Sequence, residues 1–229
     1  MLDALTPINW SICTLPLLKD LDRSTLTRLL AGVTTIDAPR GTVLFRRGDA
    51  CSGFHVVVIG FLKLCLQKPG GDEKVVALVG RGESFGEPEM FLDQPYRVCA
   101  QSLVDTQLIH VAKETVAREL ERAPQFASRI IAGLSSRLNQ YLDDVEGYTL
   151  RSGTERVIAY LLKLLPEKSA ADTSMITFPT QKRIIASHLN LTHEHFSRIL
   201  HELMVAGLIE VRGRVVRIRD ARQLRRLGA

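Results

Sequence analysis

The 229-residue sequence predicts an α+β protein in which an amino-terminal antiparallel β-roll is joined by one long helix to a carboxy-terminal helical domain. In roughly the first hundred residues, short alternating apolar runs are separated by glycine, which is typical of antiparallel rolls and jelly rolls. Apolar residues then recur at helical spacing over residues 125–148. The last part of the chain combines two short amphipathic helices with two short strands. We assign residues 1–122 to the roll, 123–150 to the long helix and 151–229 to the last domain.

The roll is predicted to begin after a helix at about residues 23–32. The segment PRGTVLFRRGD places a short strand between two glycines, and FHVVVIGFLKLCLQ predicts two strands broken at Gly60. A turn at residues 69–71 leads into EKVVALVG. The segment VCAQSLVDTQLIHV then reads as a final strand-like segment of the roll.

The long helix carries apolar residues at a spacing of 3,4,3,4,3, which is the a/d pattern of a coiled coil. These residues are Ile131, Leu134, Leu138, Tyr141, Val145 and Tyr148. The pattern predicts a homodimer that pairs through this helix; burial of the same residues against the roll is the alternative. We expect a hinge at residues 150–153, with Thr154 capping the helix that follows.

Residues 184–203, IIASHLNLTHEHFSRILHEL, predict a helix-turn-helix. Asn190 supplies the turn and Thr192 stands where an N-cap belongs. The second helix should bury an apolar face formed by Phe196, Ile199, Leu200 and Leu203. Its opposite face presents donors and acceptors that could reach base edges in a DNA major groove. An ordinary helical hairpin with a solvated face is the alternative.

A basic hairpin follows the helices and favours DNA as the partner. Gly207 ends the second helix, and LIEVRGRVVRI alternates apolar and polar residues around a basic turn, which predicts a winged helix-turn-helix. Residues 151–229 hold 14 Lys and Arg against 7 Asp and Glu, whereas residues 1–150 hold 16 against 18. Cations concentrated on one module neutralise phosphates and release counterions, so the sequence predicts binding to double-stranded DNA.

Composition argues against several other classes of protein. No apolar run approaches the length of about 20 residues that spans a bilayer, and MLDALTPINW lacks the features of a secretory signal, so we expect a cytoplasmic protein with no membrane partner. The cysteines at positions 13, 51, 65 and 99 match no zinc or iron-sulfur spacing. Four histidines cluster in the hairpin, but His193 and His195 are two residues apart and point to different faces, and no acidic triad or Cys pair completes a metal site. No phosphate-loop signature is present. We therefore predict that the chain is not an enzyme. The weaker alternatives are a metal regulator or a hydrolase, and a signalling module that does not bind DNA.

Several segments together resemble the CRP/FNR family of bacterial transcription regulators. They are RGTVLFRRGD, IGFLKL, FGEPEMF, QPYRVCAQS and HLNLTHEHFSRIL, and the resemblance covers nearly the whole chain. It implies a cyclic-nucleotide-binding-like sensor roll, a dimerisation helix and a winged helix. It also implies an activator that works with RNA polymerase, in which effector binding in the roll reorients the DNA-binding domains about the hinge.

The second helix of the hairpin matches the E-x-x-S-R pattern of FNR-type members through Glu194, Ser197 and Arg198. Glutamate can accept from cytosine N4, and arginine can pair with guanine O6 and N7. The resemblance implies TTGAT half-sites in an inverted repeat with ATCAA, with His193 as a further base-reading residue. The residues expected to contact the DNA backbone are Thr180, Gln181, Lys182, Thr192, Arg212 and Arg214.

Three family mechanisms lead to different expectations for the effector. An iron-sulfur cluster is not expected, because only Cys13 precedes the roll. Cyclic-nucleotide binding would use Gly86 and Glu87 for the ribose and Arg97 for the phosphate, although Val98 replaces the usual hydroxyl residue. Alternatively, Glu87 is tied to backbone amides of the roll and Arg97 pairs with a surface carboxylate, which we favour over the nucleotide.

The third mechanism is haem-based sensing of nitric oxide. MFLDQPY and the E-x-x-S-R helix are most similar to the DNR-type branch of the family, which is linked to nitric oxide and denitrification. Haem needs an axial ligand in an apolar pocket, and His55 and His110 are the candidate ligands in the roll. Haem and a cyclic nucleotide therefore both stay open as effectors at this point.

Overall fold

The computed structural model describes residues 22–67, 73–165 and 174–228. The first part of the chain forms α1 (Arg23–Leu30), β1 (Val33–Ala38), β2 (Val43–Phe45), β3 (Gly53–Ile59), β4 (Phe61–Gln67), β5 (Glu73–Gly80), β6 (Ser84–Phe85), α2 (Glu87–Leu92), β7 (Cys99–Ser102), β8 (Thr106–Ala112) and α3 (Lys113–Arg122). The second part forms α4 (Pro124–Leu150), α5 (Gly153–Lys163), β9 (Ser174–Thr177), α6 (Lys182–His188), α7 (His193–Val205), β10 (Ile209–Arg212), β11 (Val215–Ile218) and α8 (Ala221–Leu227).

The roll consists of two antiparallel four-stranded sheets, in the orders β1-β8-β3-β6 and β2-β7-β4-β5. Side-chain alternation along β3 explains how it is built. Phe54, Val56 and Val58 lie in one buried cluster with residues of the surrounding helices, and Val57 lies in a second cluster inside the roll. Because β3 buries apolar side chains on both faces, it packs against the helices on one side and contributes to the interior of the roll on the other.

The last strand-like segment of the roll differs from the sequence-based prediction. It forms two strands, β7 and β8, and these belong to different sheets. Between them the Thr106 hydroxyl donates to the Val104 carbonyl oxygen at 2.8 Å, which stabilises a turn where the chain crosses from one sheet to the other. The predicted amino-terminal helix is confirmed as α1, and the turn predicted at residues 69–71 lies outside the described residues.

Helix α4 carries two apolar stripes rather than one. Phe126, Ile130 and Leu134 recur every fourth residue and pack against the core of the roll. A second stripe is exposed, and its members are Ile131, Leu138, Tyr141, Leu142 and Val145. Leu134 therefore follows the alternative of burial against the roll, while most of the predicted a/d residues stay accessible.

The helix after the hinge begins two residues earlier than predicted. Ser152, not Thr154, is its N-cap: its hydroxyl accepts from the Glu155 amide, and Glu155 accepts in return from the Ser152 amide. This reciprocal pair is a capping box, and Thr154 already lies in the first turn of α5. Helices α5 to α8 and the β9–β11 sheet then enclose a core that includes Val157, Phe178 and Phe196.

The contacts within the chain divide it into two compact units, one up to Asn139 and one from Gln140 onward. The division falls inside α4. The domain boundaries after residues 122 and 150 remain predictions from the sequence. Among the described residues, no helix is both long and apolar enough to cross a membrane.

Candidate nucleic-acid interface and effector pocket

The hairpin of α6 and α7 has the geometry of a helix-turn-helix. Asn190 adopts a φ of 57°, the left-handed conformation that asparagine tolerates well, and this reverses the chain between the helices. The Thr192 side chain then accepts from the His195 amide at 3.1 Å and starts α7. The four apolar residues predicted to be buried on α7 are all buried. Gly207, with a φ of 72°, follows the end of the helix, as predicted.

The opposite face of α7 exposes the predicted base-reading side chains. Arg198 is 68% exposed and forms only a loose ion pair with Glu202, at 3.9 Å. The pKa of Glu194 is lowered by its own backbone amide and by the Thr192 hydroxyl, so this group is an ionised acceptor at neutral pH. Ser197 is half-buried between them and His193 is exposed at the start of the helix. This face thus offers an acceptor, a hydroxyl and a guanidinium.

Strands β10 and β11 form the predicted wing, and Gly213 turns the hairpin with a φ of 61°. Arg212 is exposed at its tip. Arg214 is held instead by the loop before α6, since its guanidinium donates to the carbonyls of Phe178, at 2.9 and 2.7 Å, and Pro179, at 2.6 Å. The sequence analysis missed β9, which adds a third strand beside β11 and is only four residues long.

The loop before α6 positions three of the residues expected to contact the DNA backbone. Gln181 is exposed at the N-cap of α6 and Lys182 is half-buried in its first turn. Thr180 is only 6% exposed, so its side chain is not presented at the surface, and we omit it from the proposed contact set. Arg183 was missed by the sequence analysis; it is exposed beside Gln181, and its Nε donates to the Gln181 side-chain oxygen at 3.1 Å.

In the candidate effector pocket of the roll, Glu87 is engaged by the protein itself. Gly86 has a φ of 94°, and Glu87, which begins α2, is fully buried. Arg137 of α4 donates from Nη1 to both carboxylate oxygens at 3.1 Å, and the Ser84 hydroxyl also donates to Glu87. We expected backbone amides in this role; two side chains take it instead, and Arg137 lies 50 residues away in sequence.

Neither of the other two predicted pocket residues forms a hydrogen bond or ion pair with Glu87 among the described residues. Arg97 is exposed, and no hydrogen bond or ion pair joins its side chain to another residue in the described ranges. The expected partnership of Arg97 with a surface carboxylate is therefore not formed. Val98 is partly buried and packs against the interior core of the roll.

The two candidate haem ligands are neighbours on paired strands inside the roll. His55 of β3 lies opposite His110 of β8, and their ring centroids are 4.9 Å apart. The His55 ring stacks on Phe85 at 5.1 Å and lies 5.8 Å from Phe45. Burial lowers the pKa of His55 to about 3, and its Nδ1 atom is buried without a hydrogen-bond partner in the described part of the chain. His110 bonds to the Ser52 hydroxyl through Nε2 at 3.2 Å.

Exposure varies among the six residues predicted at a dimer interface. Ile131, Leu138, Tyr141 and Val145 are between 49% and 64% exposed. Leu134 packs on the roll, and Tyr148 is half-buried, with its hydroxyl donating to the His188 carbonyl at 2.9 Å. Leu142 was missed because it does not fit the a/d spacing, yet it is 59% exposed on the same stripe.

Two family models match the chain. Residues 35–123 match the cyclic nucleotide-binding domain, and residues 155–227 match the Crp-like helix-turn-helix domain. Among curated proteins, the chain is 27% identical over 183 residues to the cyclic AMP receptor protein of Thermus thermophilus, which covers 80% of this chain and 82% of that protein.

Solved structures agree with the domain matches. The crystal structure of DNR from Pseudomonas aeruginosa is 31% identical in sequence, with a TM-score of 0.53, and the match covers 94% of this chain and 95% of that one. FixK2 from Bradyrhizobium japonicum gives a TM-score of 0.75 at 22% identity, over 86% of this chain and 98% of that one, which supports the fold alone.

Proposed function

This chain belongs to the CRP/FNR family of transcription regulators, and we propose that it binds an inverted repeat of TTGAT and ATCAA half-sites as a homodimer. It is a DNA-binding transcription regulator and not an enzyme, because residues 155–227 match the Crp-like helix-turn-helix domain and the relatives that match over most of their own length are transcription regulators. We also place its action in the cytoplasm, in partnership with RNA polymerase, as the family resemblance implies.

The observation that carries the proposed sequence specificity is the exposed face of α7. Arg198 extends into solvent and could pair with guanine O6 and N7, and the ionised Glu194 carboxylate could accept from cytosine N4. Both lie in the first two turns of the helix, the part of a recognition helix that enters the major groove. Arg212, Gln181 and Lys182 would hold the helix in register through phosphates.

The proposed homodimer rests on the exposed apolar stripe of α4. Five large apolar side chains on one helix face are stabilised when a second copy covers them. A two-fold dimer presents two copies of α7 to two half-sites, which matches an inverted repeat whose half-sites are about one helical turn apart.

The experiment that tests this proposal is a pair of fluorescence-anisotropy titrations, with the TTGAT/ATCAA duplex and with a scrambled duplex. We expect Arg198→Ala to weaken binding to the first by about 1–3 kcal/mol and to leave the second nearly unchanged. Arg226→Ala, which removes one exposed cation from α8, is the matched control. This variant should still prefer the TTGAT/ATCAA duplex over the scrambled duplex. Equal losses on both duplexes for Arg198→Ala would refute its base-reading role.

For the effector, the contacts of Glu87 do not favour a cyclic nucleotide at this position. A ribose would have to displace Arg137 and Ser84 from a buried carboxylate, which would leave the Arg137 guanidinium without its partner. Arg97, the expected phosphate partner, is exposed and forms no hydrogen bond or ion pair with Glu87 in the part of the chain that the structure describes. We therefore propose that the Glu87–Arg137 pair is structural and joins α2 to the dimerisation helix.

Haem does not fit the roll in this conformation. A haem ligand needs an open apolar cleft beside its ring nitrogen, whereas the rings of Phe85, Phe45 and His110 surround His55. Tyr96 also stacks on Phe45 at 3.5 Å, and this fills the same part of the roll. We therefore do not propose haem bound at His55 or His110 as the sensor. The proposal of nitric oxide or redox sensing rests on the resemblance to the DNR-type branch alone.

A further inference from the structure

A cavity of about 470 Å³ is lined entirely by residues of the second compact unit, which begins at Gln140. We call it the hinge cavity, because it lies beside the predicted hinge at residues 150–153. Its three sides are formed by the end of α4, by α5 and by the end of α6. Its volume is within the range of small-molecule sites. The residues that matter for its chemistry are Asp143, Asp144, Arg151, Arg156, Tyr160 and Lys163.

Two hydrogen-bond donors on the α5 wall have no acceptor. The hydroxyl of Tyr160 and the Nε of Arg156 are both buried, and neither has a hydrogen-bond partner among the residues that the structure describes. They lie one helical turn apart, so they project from the same face of α5. Burial raises the pKa of Tyr160, which keeps its hydroxyl protonated as a donor. Buried donors without acceptors are destabilising, and an acceptor placed in the cavity would remove that cost.

The charges of the cavity are divided between its walls. Arg156 and Lys163 lie on α5, and Arg151 precedes it, whereas Asp143 and Asp144 lie on α4. Burial raises the pKa of Asp144, while the charge on Lys163 opposes this. The α5 side is therefore suited to negatively charged acceptor oxygens of a ligand, and the α4 side to hydroxyl groups that donate hydrogen bonds.

We propose that the hinge cavity binds a small hydroxylated organic anion. Its carboxylate or phosphate oxygens accept from Tyr160 and Arg156, and its hydroxyls donate to Asp143 and Asp144. Such a ligand bridges the end of the dimerisation helix, α5 and the first helix of the helix-turn-helix. Because it stabilises one arrangement of these elements over others, it changes the affinity for DNA. This regulatory consequence rests on the proposed function, whereas ligand binding itself does not.

The test is isothermal titration calorimetry of the full-length protein, without DNA, with glucose 6-phosphate, citrate and inorganic phosphate. We expect glucose 6-phosphate or citrate to bind at one site per chain, with a Kd of at most about 10 mM. Tighter binding of glucose 6-phosphate would indicate a phosphate ligand, and tighter binding of citrate a carboxylate ligand. Tyr160→Phe and Arg156→Gln should each weaken that binding by about tenfold. Arg118→Gln, an exposed arginine of α3, is the matched control and should bind normally.

Absence of binding by both organic anions, or unchanged binding in Tyr160→Phe and Arg156→Gln, would overturn the proposal. Tyr160→Phe also separates binding from folding. It removes a hydroxyl without a partner and keeps the ring, so the ligand-free variant should melt no lower than the parent protein. Ala159→Trp fills the cavity from α5 and should abolish binding of the probe; a filled variant that still binds it would place the site elsewhere.

Regulation is measured separately by repeating the duplex titration with saturating probe. A change in affinity for the TTGAT/ATCAA duplex of about threefold or more supports the regulatory role, and an unchanged affinity rejects it. Failure of the ligand-free protein to prefer that duplex would instead contradict the proposed function and leave the calorimetric result standing.

Discussion

Among single residues, His55 links the pH of the solution most directly to the stability of the roll. Burial, reinforced by His110, lowers its pKa to about 3, whereas histidine in an unfolded chain titrates near 6.5. The unfolded chain therefore takes up a proton that the folded chain does not. The stability contributed by neutral His55 is complete above about pH 6.5 and is lost as the pH falls toward 3.

We predict that the free energy of unfolding falls by about 2 kcal/mol between pH 6.5 and 4.5 through this group. Urea denaturation at a series of pH values measures it. His55→Leu should flatten the profile, because the titrating group is gone. Phe45→Leu, which loosens the same aromatic cluster without removing a titrating group, should keep the parent slope. A His55→Leu variant with the parent slope would assign the pH dependence to other groups.

Residue-scale features were predictable where the determinants are local in sequence. The N-cap at Thr192 and the left-handed turn at Asn190 depend on a few neighbouring residues, and both are confirmed. The contacts of Glu87 were not predictable, because Arg137 comes from another element and no local pattern joins the two. Sequence similarity indicated that Glu87 matters, but only the tertiary structure supplies its partner.

At the scale of elements, the capping box at Ser152 is expected to control the start of α5. Its hydroxyl is the acceptor for one of the helix's first amides, so Ser152→Ala should lower the free energy of unfolding by about 1 kcal/mol. Thr154→Ala, two residues further along, is the matched control and should cost less, since Thr154 makes no cap contact. Chemical denaturation of both variants measures the difference, and a larger loss for Thr154→Ala would contradict this assignment.

The recognition helix and the long helix show how far periodicity predicts an element. All four apolar residues predicted for the buried face of α7 are buried, because that helix has a single apolar stripe and α5, α6 and β10 pack against it. Helix α4 has two stripes, so one a/d pattern could not assign Leu134 to the roll and Leu138 to solvent. The missed strand β9 is too short for alternation to identify it.

At the scale of the whole molecule, the exposed stripe of α4 predicts how the protein assembles. A glutamate at Leu138 would have to be buried without a partner in a two-fold interface, so Leu138→Glu should weaken dimerisation by about a hundredfold or more. Sedimentation velocity measures the change. Leu227→Glu alters a comparably exposed leucine on α8 and should leave the parent oligomeric state unchanged. If the parent protein sediments as a monomer, the proposed dimer is wrong.

The concentration of positive charge in the carboxy-terminal part of the chain predicts how DNA affinity responds to salt. Each lysine or arginine that neutralises a phosphate contributes about 0.9 to the slope of log affinity against log salt concentration. Arg212→Ala should therefore reduce that slope by about 0.9 per protomer and weaken binding to specific and scrambled duplexes by the same factor. Anisotropy titrations across a range of salt concentrations measure both quantities.

Arg214 provides the contrast, because its guanidinium already bonds the carbonyls of Phe178 and Pro179 and so ties the wing to the loop before α6. We expect Arg214→Ala to lower the free energy of unfolding by about 1–2 kcal/mol, an effect that Arg212→Ala should not share. If Arg212→Ala instead leaves the salt slope unchanged, the wing does not meet the phosphates. The charge of this part of the chain would then have to act through the recognition hairpin alone.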